Sequence, residues 1–176
     1  YSIKNKKGLY KIGSKVGFAN VSLEENKELI FKIFLEIGNN KKINAVDVQT
    51  SIMLKKNNSL IDNDFRKNAH FAEQFLNILK SKYNLSSILK AMRDLGLLQR
   101  YIPEFSNVVG QMQFDLFHIY TVDEHTFKVV RNMRQMKIFN QKGFELEHEL
   151  INKLPKIELL FIAGLFHDLG KGKGGD

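Results

Sequence analysis

A mainly helical fold is predicted by three observations. Apolar residues recur at helical rather than alternating spacing along nearly the whole chain. Only two prolines interrupt its 176 residues. Two boxes, Ser22-Leu-Glu-Glu25 and Thr121-Val-Asp-Glu124, each stand ahead of a helically spaced run. Residues 1–20 are the exception, because Tyr1, Ile3, Leu9, Tyr10 and Ile12 lie among glycines and suit a small hairpin or irregular arm. In the first box the Ser22 hydroxyl can accept an early backbone N–H while Glu25 reaches back. It predicts a helix with Ile30, Ile33, Phe34 and Ile37 on one face and Gly38 as its stop. Further helices are expected over about 45–56 after Asn44 and over about 69–82, the latter carrying Phe71, Phe75, Leu76 and Leu79. A short one over about 86–95 ends at Gly96, and Leu97 to Phe105 reads as a turn-like connector around Pro103. The second box opens a helix through Phe127, Val130, Met133 and Arg134 to about Phe139, with His125 in its first turn. A shorter helix follows over about 144–154, ended by Pro155, and a last one over about 157–169, broken by Gly170 and Gly172.

Composition narrows the function classes. Apolar residues make up 43% of the chain and include 14 Phe, enough for a packed core. With no cysteine, disulfides and thiolate metal sites are excluded, so any ligand set must come from His, Asp, Glu or water. No apolar stretch approaches the roughly 20 residues that span a bilayer, and the start has no secretion-signal pattern. A cytoplasmic protein without a membrane partner is therefore expected. The net charge of +8 is spread as lysine along the chain, with no Trp and no nucleic-acid-binding motif, and reads as a solvated surface rather than a nucleic-acid patch. The missing initiator methionine and the unfinished look of the end suggest a segment of a longer polypeptide.

The chemistry concentrates at the end of the last apolar helix, in LFHDLGKGKGGD (Leu165–Asp176). There His167 and Asp168 are delivered by a rigid element to the edge of a core, where polar groups cost free energy unless a partner satisfies them. A divalent cation is one such partner, since imidazole and carboxylate both ligate Zn, Mn, Fe or Mg. Adjacent histidine and aspartate occur often by chance, so a third ligand is needed. His125 is the best candidate. The 42 positions between it and His167 accommodate a helix, a connector, a short helix and a return to the starting end. His118 is the competitor, whereas His148 among Glu145, Glu147 and Glu149, and His70 at the start of a core helix, suit structural or solvent roles. The glycine-lysine tail lacks P-loop spacing, but beside a metal dyad Lys171 and Lys173 are candidates for phosphate contact.

Taken together, GQMQFDLFHIYTVDEHTFKVVRNM (Gly110–Met133) and ELLFIAGLFHDLGKGKGGD (Glu158–Asp176) resemble the bifunctional uridylyltransferase/uridylyl-removing enzyme family of bacterial nitrogen control. LKAMRDLGLLQRYIPEF (Leu89–Phe105) resembles the same family's segment ahead of its HD domain, and a weaker similarity reaches back to Val21. The resemblance implies an all-α organisation, with residues 1–109 a helical segment that follows an absent nucleotidyltransferase domain. Residues 110–176 would then be the first part of an HD-type phosphohydrolase domain. It implies an enzyme that attaches UMP from UTP to a tyrosine of the PII signal protein and hydrolyses it off again, with glutamine as effector at other domains. Carried over residue by residue, His125, His167 and Asp168 become ligands of a divalent metal, Mg or Mn, with His167 and Asp168 also catalytic. Such an ion polarises a phosphoryl oxygen and lowers the pKa of water. The family's transferase signature, a Gly-Ser turn with paired aspartates, is not in this sequence, and the remaining HD ligands are expected beyond Asp176. The chain alone should accordingly be inactive.

Two other classes stay open at this stage. One is an HD phosphohydrolase of a nucleotide second messenger, separable by its substrate. The other is a non-catalytic basic helical module, whose binding would be independent of metal and would collapse with salt.

Overall fold

The computed structural model describes residues 3–4, 8–112 and 120–172, the first two and the last two of these by backbone alone. The chain is mainly helical and divides into two compact units, Tyr1–Ile102 and Pro103–Asp176.

The first unit opens with the anticipated hairpin. Strands β2 (Leu9–Ile12) and β3 (Lys15–Phe18) pair antiparallel around Gly13, whose φ of +57° favours glycine. Strand β1 (Ile3–Lys4) adds antiparallel to β2. Strand β4 (Ala45–Val46) completes the order β1-β2-β3-β4 by pairing parallel to β3, with Lys15 opposite Ala45 and Val16 opposite Val46. A parallel pair requires a crossover, and helix α1 (Leu29–Asn39) supplies it.

Helix α1 begins later than its capping box predicts. Ser22 Oγ accepts the Glu25 N–H at 3.4 Å, but this closes a separate turn, and the helix starts only once Leu29 and Ile30 donate to the Asn26 and Lys27 carbonyls. Nor is Gly38 its stop. The helix continues to Asn39, and Gly38 is buried within it, where a Cβ would collide with Ser81 and where its carbonyl accepts the Tyr83 N–H at 2.8 Å. The glycine permits a close approach to the chain around Ser81 and Tyr83, instead of an exit from the helix.

Helix α2 (Val48–Lys56) starts after β4 has used residues that sequence periodicity assigns to the helix, and Asp47 caps it by accepting from the N–H groups of Gln49 and Thr50. Thr50 Oγ1 in turn accepts the Phe18 N–H at 2.9 Å, tying α2 to the end of β3. An unforeseen short helix α3 (Asn63–Lys67) is capped by Asp62, then come α4 (Ala69–Leu79) and α5 (Leu85–Asp94) close to expectation. The expected connector is largely helical. After Gly96, with φ +75°, it forms α6 (Leu97–Tyr101), and Pro103–Asn107 make a 3₁₀ turn.

The core of this unit surrounds α1, which buries Leu29, Ile30, Phe31, Ile33, Phe34 and Ile37. Phe31 meets Phe65 and Tyr101 edge to face, at ring separations of 5.2 and 5.0 Å, and Phe75 leans on Tyr101 at 4.8 Å. Burial pushes the Tyr101 phenol above the ordinary tyrosine value. That of Tyr10 is raised too, by burial first and then by the Asp47 carboxylate. In the unfolded chain both ionise near pH 10. The folded state resists ionisation, so its stability is intact below about pH 10 and declines as pH climbs from there toward the raised folded values. Tyr101→Phe should flatten this alkaline decline in urea-denaturation midpoints measured between pH 9 and 11 (about one unit either side of the tyrosine value). A slope identical to wild type would contradict the argument.

The second unit contains α7 (Val122–Ile138), α8 (Glu145–Lys153) and α9 (Ile157–Phe166), followed by a 3₁₀ turn over Leu169–Gly172. Helix α7 starts where its box predicts, although the Thr121 hydroxyl makes no capping bond. Its entry is held by the Val122 N–H on the Gln111 carbonyl at 2.9 Å and by buried Asp123, which accepts the Gly110 N–H at 3.1 Å. A carboxylate in a first helical turn also suits the positive end of the helix dipole. Phe105 stacks on Phe127 at 5.6 Å, and Val130, Phe161 and Leu165 extend this core. Helix α9 stops at Phe166, three residues short of expectation, because the chain tightens into the 3₁₀ turn before Gly170 is reached. Among the described residues no helix is long and apolar enough to cross a membrane.

Candidate metal centre

Helices α7 and α9 pack antiparallel, since Val130 and Met133 lie against Gly164 while His125, nearer the start of α7, meets His167 and Asp168 at the end of α9. This pairing brings together residues far apart in sequence. Asp168 Oδ2 stands 3.2 Å from His167 Nε2 and 3.7 Å from His125 Nε2, and the imidazole centroids are 5.5 Å apart. One donor atom from each of the three residues lies within 4.8 Å of the others.

Burial is graded across the cluster. Asp168 is only 7% exposed, whereas the side chains of His125 and His167 are about one third exposed, so the carboxylate is rooted in the core edge and the rings face outward. Two imidazole nitrogens and one carboxylate oxygen are a donor set for a divalent cation with ligand distances of about 2.0–2.2 Å, and donors bound to one ion then stand some 3–4 Å apart. The separations of Asp168 from both rings match that requirement, and the trio can hold a metal ion.

His167 is oriented from behind. Its Nδ1 lies 2.7 Å from the Gly164 carbonyl one turn earlier, which makes Nδ1–H the donor and leaves Nε2 as the nitrogen turned toward Asp168, the one that could ligate a cation. Gly164 carries a second duty that sequence pattern alone does not disclose. A Cβ at this position would stand 3.0 Å from Met133 Sδ and 3.4 Å from Val130 Cγ2, so glycine sets the α7–α9 spacing. Gly164→Val should wedge the helices apart and weaken Mn²⁺ binding by about tenfold, the lower end of second-shell effects. The milder Gly164→Ala can be absorbed by the flexible Met133 thioether. Calorimetric titration of both variants with Mn²⁺ checks this, and equal affinity for Gly164→Val and wild type would refute it.

Each of the other sequence candidates whose side chain is described has its own setting. His148 Nδ1 pairs with the Met136 carbonyl at 2.6 Å and bridges α8 to the end of α7, a structural role. His70 is exposed at the start of α4 beside Phe71. Lys171 has its backbone in the final 3₁₀ turn, while His118 and Lys173 lie outside the described residues.

Comparison with known proteins adds a second line of observation. Residues 19–101 match the family described as the uridylyltransferase GlnD third domain. The chain is 42% identical over 156 residues to a bifunctional uridylyltransferase/uridylyl-removing enzyme of Azotobacter vinelandii, an alignment covering 87% of this chain and 17% of that protein. Proteins of the same description from Ectopseudomonas mendocina and Pseudomonas fluorescens are 42% and 41% identical over 148 residues, each alignment covering 84% of this chain and 16% of the relative. The chain thus spans about a sixth of the length of these curated relatives. No solved structure matches it.

Proposed function

We propose, from the premise that this chain belongs to the GlnD family of bifunctional uridylyltransferase/uridylyl-removing enzymes, that its second unit carries part of a uridylyl-removing site. The observation that carries this reading is the convergence of His125, His167 and Asp168 from opposite ends of an antiparallel helix pair. A divalent cation, Mg²⁺ or Mn²⁺, supplies positive charge that polarises a phosphoryl oxygen and lowers the pKa of water.

The chain's own residues do the holding. His125 and His167 would each offer an imidazole nitrogen, and Asp168 a carboxylate oxygen from a site where few competing waters reach it. The Gly164 carbonyl keeps His167 in the ligating tautomer. Three protein donors among the described residues fall short of the six that Mg²⁺ or Mn²⁺ takes, so substrate oxygens, water or further side chains complete the set. The substrate proposed is the PII protein uridylylated on tyrosine and the product UMP. UTP-dependent uridylylation and the response to glutamine belong to the rest of the polypeptide, in a cytoplasmic setting that the absence of cysteine accommodates.

The test uses a full-length protein containing this segment, supplied with Mn²⁺ and uridylylated PII. His125→Ala and His167→Ala should each abolish UMP release while leaving UTP-dependent uridylylation intact. UMP release at wild-type rate by either variant would overturn the reading.

A further inference from the structure

Two positions before α7, Tyr120 is 43% exposed. The Lys128 ammonium lies over that ring, 4.5 Å from its centroid. Long side chains on a helix lean toward its N-terminus, and Lys128 follows this rule in reaching back across two turns to Tyr120. His125 is three positions before Lys128 and hence a neighbour on the same side of the helix, with Cβ atoms about 5–6 Å apart. A cation held over an aromatic ring is thus carried by the same helix that supplies His125 to the cluster, one turn further along it.

These two groups match the two chemically different halves of a nucleotide. An ammonium donates charge-assisted hydrogen bonds to a phosphoryl oxygen, and it can do so while resting on an aromatic ring, because only one side of the cation faces the ring. An exposed aromatic face stacks a nucleobase of any sequence. Within the cluster the protein contributes one carboxylate and two imidazoles, so Lys128 adds a positive charge where a phosphodiester brings negative charge. Of the nearby acids, Asp123 is buried and accepts from the Gly110 N–H, and Glu124 lies one turn before Lys128 in the first turn of α7.

We propose that Tyr120 and Lys128 form a nucleoside-monophosphate subsite, in which Lys128 contacts the phosphate and Tyr120 stacks the base, positioning a phosphoester at the His125–His167–Asp168 cluster. This rests on the reading of that cluster as a phosphoester-handling centre. Neither residue belongs to the metal-ligand set, which makes the two readings separable.

The experiment titrates the whole chain with UMP and, separately, with inorganic phosphate, following α7 amide shifts by NMR, and measures Mn²⁺ affinity of the same samples by calorimetry. Lys128→Ala should weaken UMP and phosphate alike by about tenfold, as expected for one charge-assisted contact. Tyr120→Ala should weaken UMP by a similar factor and leave phosphate unchanged. Tyr120→Phe and Lys128→Arg should bind UMP as wild type does, and Mn²⁺ affinity should be unchanged in all four variants. Absence of UMP binding to wild type, wild-type UMP affinity in Lys128→Ala, or equal loss of UMP and phosphate in Tyr120→Ala would each overturn the subsite. Failure of wild type to bind Mn²⁺ would instead count against the metal centre alone.

Discussion

Asp168→Ala is expected to lower divalent-ion affinity by at least about 100-fold, the largest effect of any single substitution at the centre, since outer-shell changes already cost 10–100-fold. Asp168 contributes the only anionic donor of the trio and is the member shared by both imidazoles, at 3.2 and 3.7 Å. Its removal leaves two neutral rings 5.5 Å apart with nothing between them to balance a double positive charge. The readout need not be catalytic. An ion that binds only the folded chain stabilises it by about 2.7 kcal/mol at a hundredfold excess over its Kd, so Mn²⁺ should raise the Tm of wild type and leave that of Asp168→Ala where it was. An Mn²⁺-induced rise in Tm equal to that of wild type would exclude Asp168 from the site.

Phe31→Ala should destabilise the first unit by about 3–5 kcal/mol, the range for deleting a fully buried aromatic side chain. Phe31 has no exposed surface, and its ring is the hub on which Phe65, Phe75 and Tyr101 converge. Its edge-to-face contacts with Phe65 and Tyr101 each add about 0.5–1.5 kcal/mol to simple burial. The surrounding rings come from α3, α4 and α6, which cannot all collapse into one void, so the cavity should persist. Against a typical domain stability of 5–15 kcal/mol this is a large fraction, and urea unfolding should show a greatly lowered midpoint. Phe31→Leu should recover a substantial part of the loss, whereas a loss below about 1 kcal/mol for Phe31→Ala would mean that the ring cluster is not the keystone of this core.

Legibility from sequence varied with the physical signal each element carries. The stripe of Ile30, Ile33, Phe34 and Ile37 identifies α1, and the second box places the start of α7 to the residue. By contrast α6 is five residues long, too short to display a period, and reads as a connector. Ala45 and Val46 serve a strand or a helix equally well, and only pairing with β3 decides between them. Gly38 carries the chemical signature of a helix stop, yet its reason is the Ser81 side chain more than forty positions away, which no local window contains. At the candidate centre, the histidines and the aspartate stand out by residue type and spacing. Helix α9 is apolar all round, so its sequence does not tell which side meets α7, and the double role of Gly164 emerges only from the packing.

The parallel pairing of β3 with β4 has a kinetic implication. The bonds from the Asn44 and Asp47 amides to the Ser14 and Val16 carbonyls span about thirty residues, nearly all taken up by α1 and its approaches. Loop closure of that length is entropically costly until the intervening helix has condensed against the hairpin. In pulse-labelled deuterium exchange during refolding, the Asn44 and Asp47 amides should therefore acquire protection after those of the β2–β3 hairpin and no earlier than those of α1.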